Sequence, residues 1–445
     1  MARSTLLRWG IQSLGPGMAL KRSARAGEIG PRVTMDRTLW NDPFPWYDAL
    51  RKQGPVFNGM IVSSTASHGF ASEVLRSPDF GVGVRSESLP WFVRVAFKLA
   101  SDEQHPGPGQ PPSMLAVDPP QHTKYRRLVS KVFTARAVAA LETRVNDITD
   151  ELLDQMERHD SVDLVEAYAG PLPVRIIAEI LGVPAHMHQQ LLDWGNAAAV
   201  TLDPAMAYPV FKRATTALRE MHSWLGHHLE TLRRNPGNDL MSQLATLKDE
   251  GDSMSDVELR ATALLVIGAG FETTVNLISN GVMALLTHPD QLAAVRADPS
   301  LWDNATEEVL RWDSPVQLTG RFALHDTEVF GQSVPEGRII TMMLGGCNRD
   351  PEVFANPHEF DVRRANARDH LAFSGGIHFC LGASLARLEG AVALRKVFDR
   401  FPDLALAGRP ERRQLRVLRG YESLPVSLGA PNRKLARSST STKVL

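Results

Sequence analysis

The chain has 445 residues, 43% of them apolar, enough for one large core or for two to three ordinary domains. Its 49 lysines and arginines nearly cancel 50 aspartates and glutamates, so no global field points to nucleic acid or to an anionic membrane, and small molecules and proteins are the expected partners. Two cysteines, Cys347 and Cys380, exclude a disulfide scaffold and a CxxC zinc site and suit a reducing, cytoplasmic setting.

Residues 1–39 read as a basic extension. Its first 27 residues hold Arg3, Arg8, Lys21, Arg22 and Arg25 without an acid, a composition shared by organellar transit peptides and by amphipathic segments that lie on a surface. Segments 137–160, 186–199 and 207–234 place apolar residues three and four apart and predict amphipathic helices. The clearest helix begins at Ser255, where Glu258 completes a capping box, and runs to His288 before Pro289, about 50 Å in all. Inside it, Gly268-Ala269-Gly270 is too small to be favoured by helix propensity, which implies close approach by another group; tight packing against a second helix is the plainer alternative. Glycine and charge interrupt each long apolar run short of the roughly 18–20 residues of a membrane span. Proline-rich residues 105–120 and the steps at 350 and 356 mark loops, strand signals are short and late, and no repeat appears. Residues 40–430 therefore read as one mainly helical domain, followed by a disordered basic tail over 431–445.

The chemistry concentrates at residues 373–382, Phe-Ser-Gly-Gly-Ile-His-Phe-Cys-Leu-Gly, directly before a helical pattern over 383–398. A thiolate at Cys380 would meet the free amides and positive dipole end of that helix, which lower a thiol pKa. Gly375, Gly376 and Gly382 would let backbone pass close to a flat cofactor. Cys347 reads as an ordinary buried thiol.

The arrangement from Phe373 through Gly375 and His378 to Cys380 and Gly382 resembles the haem-binding signature of the cytochrome P-450 family, and three further motifs follow the family's order. Ala269-Gly270-Phe271-Glu272-Thr273-Thr274 resembles the oxygen-binding motif, Glu308 to Arg311 the ExxR pair, and Phe354, Pro357 and Phe360-Asp361 the meander before the cysteine loop. One position departs from the pattern: Glu359 stands where some members carry an arginine that joins the ExxR pair, leaving Arg349 and Arg364 as candidates to replace it.

The resemblance spans about residues 40–430 and implies a triangular helical prism with small sheets. It implies haem b on a Cys380 thiolate, with Ala269 and Gly270 beside oxygen, Thr273 and Glu272 managing protons, and His122, Arg126, Arg321 and His378 near the propionates. Electrons would come from a ferredoxin and its reductase, and Arg127 and Arg387 would face that partner. The substrate would be a hydrophobic small molecule, held by Val266, Val316, Gln317, Leu318 and Thr319 and selected by segments 81–115 and 184–215. A peroxide-driven enzyme and a ligand-binding haem protein without turnover are the two competing readings. No GxSxG, HExxH or phosphate loop supports another framework.

Overall fold

A computed structural model describes residues 2–83, 91, 95, 100, 102–130, 133–246 and 254–432. Helices form where the spacing predicts them, at Ala135–Met156, His188–Ala199, Tyr208–Arg234 and Asp256–Thr287. Ser255 accepts from the Glu258 amide while the Glu258 carboxylate accepts from the Ser255 amide, so two orphan donors are satisfied at once. The helix ends at Thr287, and Pro289 opens a new helix, Pro289–Ala297.

Asp256–Thr287 is apolar around most of its circumference and forms the axis of the largest core cluster. By length and composition it equals a membrane span, contrary to the reading that glycine and charge interrupt every long run. Yet 72% of its most apolar stretch is buried within the protein, so the protein's own core covers that surface. Leu277 meets Gly390 and Gly281 meets Leu394 on helix Ala383–Arg400, with no room for a side chain at either glycine. The two helices therefore run side by side in the same direction.

The main sheet has five strands in the order Phe57–Asn58, Val62–Thr65, Ile339–Met342, Thr319–Ala323 and Phe80–Gly81. Three of these strands are early, which the late strand signals did not predict. At two to four residues each, they are too short for alternation to register and pair only through contacts remote in sequence. Ile340 and Met342 point into a second core cluster with Phe70, Val74 and Leu75 of helix His68–Arg76.

The basic extension is helical from Ala2 to Arg25, through a widened turn at Gly10–Leu14. Pro16 has no amide hydrogen, and the Gly15 amide bonds the Gly10 carbonyl five residues back, which accommodates the proline ring without breaking the helix. Of the expected tail over 431–445, residues 433–445 lie outside the described residues; Asn432, within it, bonds the Arg400 carbonyl through its amide.

Candidate active site

The loop over 373–382 is closed by its own backbone. The Cys380 amide donates to the Phe373 carbonyl at 2.9 Å, and the Phe379 amide to the Gly376 carbonyl at 3.1 Å. Gly376 has φ +64°, and a side chain there would strike the Leu75 carbonyl, so only glycine fits. Gly375 also faces Leu75. Both glycines thus serve contact with helix His68–Arg76, not the approach of a flat group; Gly382 alone has open space beside it. Cys380 keeps accessible surface, but protein crowds it closely enough that burial pushes its thiol up. The Gly382 amide, Arg126 and Arg387 pull the other way without overcoming burial, so the expected lowering by the helix end is outweighed. Phe373 is buried, with the Arg387 guanidinium 4.7 Å from its ring centre.

Glu308 and Arg311 lie three apart on helix Trp302–Trp312, and neither side chain is exposed at all. The five guanidinium hydrogens find five acceptors. Nε and Nη2 reach the two Glu308 oxygens at 2.7 Å each, Nη1 the carbonyls of Asn348 and Pro357, and Nη2 that of Glu359, each at 2.9 Å. Arg364 supplies the missing third member, with Nε 3.2 Å from Glu308 Oε1. Arg349 instead donates to the Trp312 carbonyl and stacks on Phe44. Glu359 joins only through its carbonyl, which explains why its exposed side chain does not disturb the network. Asn348 carries the connection onward, because its side-chain oxygen accepts from the Leu371 amide, two residues before Phe373. Glu307, which the motif reading passed over, accepts from Arg387 at 2.7 Å and bonds His370 at 3.0 Å, tying the same helix to the cysteine helix. The doubled Glu307-Glu308 was the available signal: adjacent helical residues point about 100° apart and can serve two neighbours.

Four nitrogen-bearing side chains converge beside this loop. The rings of His122 and His378 are 4.2 Å apart, Arg126 donates to the Phe379 carbonyl at 2.7 Å, and Arg321 reaches the Ser374 hydroxyl at 3.4 Å. Burial lowers His122, takes Arg321 down to about 10 and His378 down to about 4, with neighbouring cations adding to the histidine shifts. Among the described residues Asp118 is the one carboxylate acting on them, and it already accepts from the Val82 and Gly83 amides. His378 Nε2 is buried without a hydrogen-bond partner. Two guanidinium groups and two histidines, one with an unpartnered buried nitrogen, fit the two carboxylates of a haem edge, beside a thiol suited to its iron.

Ala269 is exposed and Thr273 half-buried, in a helix whose neighbouring residues are mostly buried. Four residues apart, they share a face. Gly270 does not share it, because a side chain there would lie 2.5 Å from Ile177 of helix Pro171–Ile180; its small size serves helix packing. Counting eight residues back from the Leu277–Gly390 contact reaches Ala269 on one helix and Gly382 on the other, about 12 Å in each case. The Ala269–Thr273 face and the cysteine loop therefore stand at one level. The Thr273 hydroxyl donates to the Ala269 carbonyl at 2.8 Å. Glu272 points away, is buried, and pairs with Arg413, which also reaches Asn196 at 3.3 Å. Burial raises its carboxyl despite Arg413, and Oε2 has no partner. Glu272, expected to manage protons, is thus held in a buried ion pair.

The five expected substrate residues do not form one wall. Val266 belongs to the main core cluster, Val316 packs on the second cluster and Leu318 on the third, around Tyr47 and Phe44. Gln317 accepts from the Tyr47 hydroxyl and donates to the Ser314 carbonyl, which leaves it little for a ligand. Thr319 opens the strand that carries Arg321 and bonds that guanidinium at 3.3 Å. Much of segment 81–115 lies outside the described residues.

The family profile described as cytochrome P450 matches residues 174–413. A Mycobacterium tuberculosis protein assigned as cytochrome P450 140 is 46% identical over 413 residues, covering 91% of this chain and 93% of the relative. The vitamin D(3) 25-hydroxylase of Pseudonocardia autotrophica is 39% identical over 409 residues, covering 88% and 95%. The crystal structure of Mycobacterium smegmatis CYP164A2 without ligand superposes with TM-score 0.80 at 34% identity, over 90% of this chain and 99% of that one.

Proposed function

The chain belongs to the cytochrome P450 family, and from that premise we propose a monooxygenase of apolar small molecules that holds haem on Cys380 and draws electrons from separate proteins. Haem b with a cysteine thiolate, monooxygenase chemistry and the helical prism come with the family. When bound, haem supplies reductive activation of dioxygen, which thiolate donation assists.

The chain's own residues divide the remaining work. Cys380 donates its sulfur, and the backbone bond to Phe373 fixes where that sulfur stands. His122, Arg126, Arg321 and His378 would hold the propionates, and His378 Nε2 would gain the hydrogen-bond partner it lacks. Glu308, Arg311 and Arg364 keep the meander and, through Asn348, the loop in register. Thr273 relays a proton into the cleft through Oγ1, and Glu272, whose carboxyl burial raises, is the buried acid one residue before it that supplies the relay. Arg127, which is exposed, and the half-buried Arg387 face an acidic ferredoxin. A vitamin D(3) hydroxylase among the relatives favours a hydrophobic substrate.

The single observation carrying this reading is the convergence of Cys380 with those four cationic or basic groups on a loop braced by a fully buried ion pair. The test is the reduced, carbon-monoxide-treated protein. It should show the strongly red-shifted Soret band of thiolate ligation, and Cys380→Ser should lose it; a band retained by the variant refutes the assignment. Substrate-dependent consumption of reductant separates monooxygenation from the peroxide-driven and ligand-binding alternatives.

A further inference from the structure

The N-terminal helix is inverted. Against the body it buries Arg8, Ser13, Gly17 and Ser23, none more than 6% exposed among the three with a polar side chain. Outward it shows Leu6 at 51% exposed, Leu7 at 50%, Leu14 at 39% and Met18 at 57%. Such a helix leaves about half of this apolar surface in water, whereas a helix packed only on its own protein turns its apolar stripe inward.

The inward contacts are specific. Arg8 pairs with Asp102 at 2.7 Å and donates to the Ala100 carbonyl, the Trp9 indole donates to the Met206 carbonyl, and the Ser13 hydroxyl bonds the backbone of Met206. Gly17 sits on Ala205 so closely that a methyl group would not fit. The outward orientation of the leucines is thus fixed by directional bonds on the opposite face.

What covers the apolar stripe is indicated by charge. Continuing along the same helix, Lys21, Arg22 and Arg25 are all exposed, and residues 1–27 hold no acid. The net charge of the chain is only −1, so this basic end is a local feature that the global balance conceals. We infer that the outer face of the N-terminal helix docks the protein on an anionic lipid surface, with Leu6, Leu7, Leu14 and Met18 in the headgroup–acyl boundary and Lys21, Arg22 and Arg25 on lipid phosphates. An apolar outer stripe adjoining a basic end is the pattern of an interfacial helix. A second copy of the chain would set that basic end against its own like charges wherever the two helices met in register.

The test uses the full chain and extruded vesicles, either phosphatidylcholine alone or phosphatidylcholine mixed with phosphatidylglycerol. The wild type should co-sediment with the anionic vesicles and be released by high salt. Leu6, Leu7, Leu14 and Met18 changed together to Gln should weaken binding by at least about tenfold. Each of Lys21→Gln, Arg22→Gln and Arg25→Gln should weaken it about fivefold. These positions are exposed, and an unchanged circular dichroism melt shows that the variants fold. Wild-type protein left in the supernatant overturns the inference, as does vesicle binding that the fourfold Gln variant retains. A dimer that this variant abolishes, without lipid binding, assigns the stripe to a second copy and equally overturns it.

Discussion

At the scale of single residues, Thr273 sits on the accessible face with Ala269, whereas Gly270 packs against Ile177. Its hydroxyl hydrogen is engaged by the Ala269 carbonyl, so the oxygen lone pairs are what the cleft meets first. The side chain would have to rotate or accept a proton in order to pass one on. Thr273→Ala should therefore leave haem binding and reductant consumption in place while raising peroxide and lowering product, and Thr273→Ser should restore coupling. Product per reductant unchanged in Thr273→Ala would reduce the residue to an ordinary helical threonine. Arg413 presents a second test. It partners the buried Glu272, and removing it leaves a carboxyl that burial already raises with no opposing charge. Arg413→Ala should shift the alkaline limb of the pH–rate profile to higher pH, because Glu272 then keeps its proton to higher pH; a profile that does not move would detach Glu272 from the chemistry.

At the scale of elements, the Glu308–Arg311 pair couples the helix Trp302–Trp312 to the meander, and its two members differ from Arg364 in what each leaves behind. Arg311→Ala removes both 2.7 Å bonds to the buried Glu308 carboxylate, leaving it only Arg364 and the Asp361 amide, and strands the carbonyls of Asn348 and Pro357, a loss of about 3–5 kcal/mol. Arg364→Ala leaves Glu308 still paired, and about 1–3 kcal/mol is expected for the bonds lost. Haem content after expression and denaturation midpoints should rank wild type above Arg364→Ala and Arg364→Ala above Arg311→Ala; equal losses would show that Arg364 is a full member of a three-way pair. This network also marks how far sequence reached. Its motif residues were legible because helical spacing fixes their mutual geometry, as it fixed the capping box at Ser255 and Glu258. Arg364 was one of two arginines that spacing left open, since only the loop path decides which turns inward. Glu307 was signalled only by its doubling with Glu308, while Asn348 and Arg413 were not legible, because each reaches its partner across tens of residues or more. Gly375, Gly376 and Gly270 signalled close approach correctly, but the partner in each case is Leu75 or Ile177, which nothing in the local sequence identifies.

At the scale of the whole molecule, burial places one ionisable group at odds with neutral pH. Glu389 lies on the cysteine helix, is buried among residues that include no charge acting on it, and has a carboxyl oxygen without a partner. Burial alone takes its pKa up to about 8, against roughly 4.3 for an unfolded chain. Between those values the folded state holds the proton and the unfolded state has lost it, so the folded state binds more protons and stability falls as pH rises from about 4 to about 8. Below that window the group is neutral in both states and imposes no such penalty; above it the penalty is fully present. Glu389 is buried within the helix Ala383–Arg400, so the effect falls on the cysteine helix. Glu389→Gln keeps the shape and removes the titration. In scanning calorimetry of the haem-loaded protein at one scan rate, the variant should melt at nearly the same temperature as wild type at pH 4.5. It should melt progressively higher than wild type toward pH 8, by several degrees. A difference that stays constant across this range would mean that Glu389 does not titrate on unfolding, and a lower melting temperature at every pH would mean that its carboxyl makes a bond the amide cannot replace.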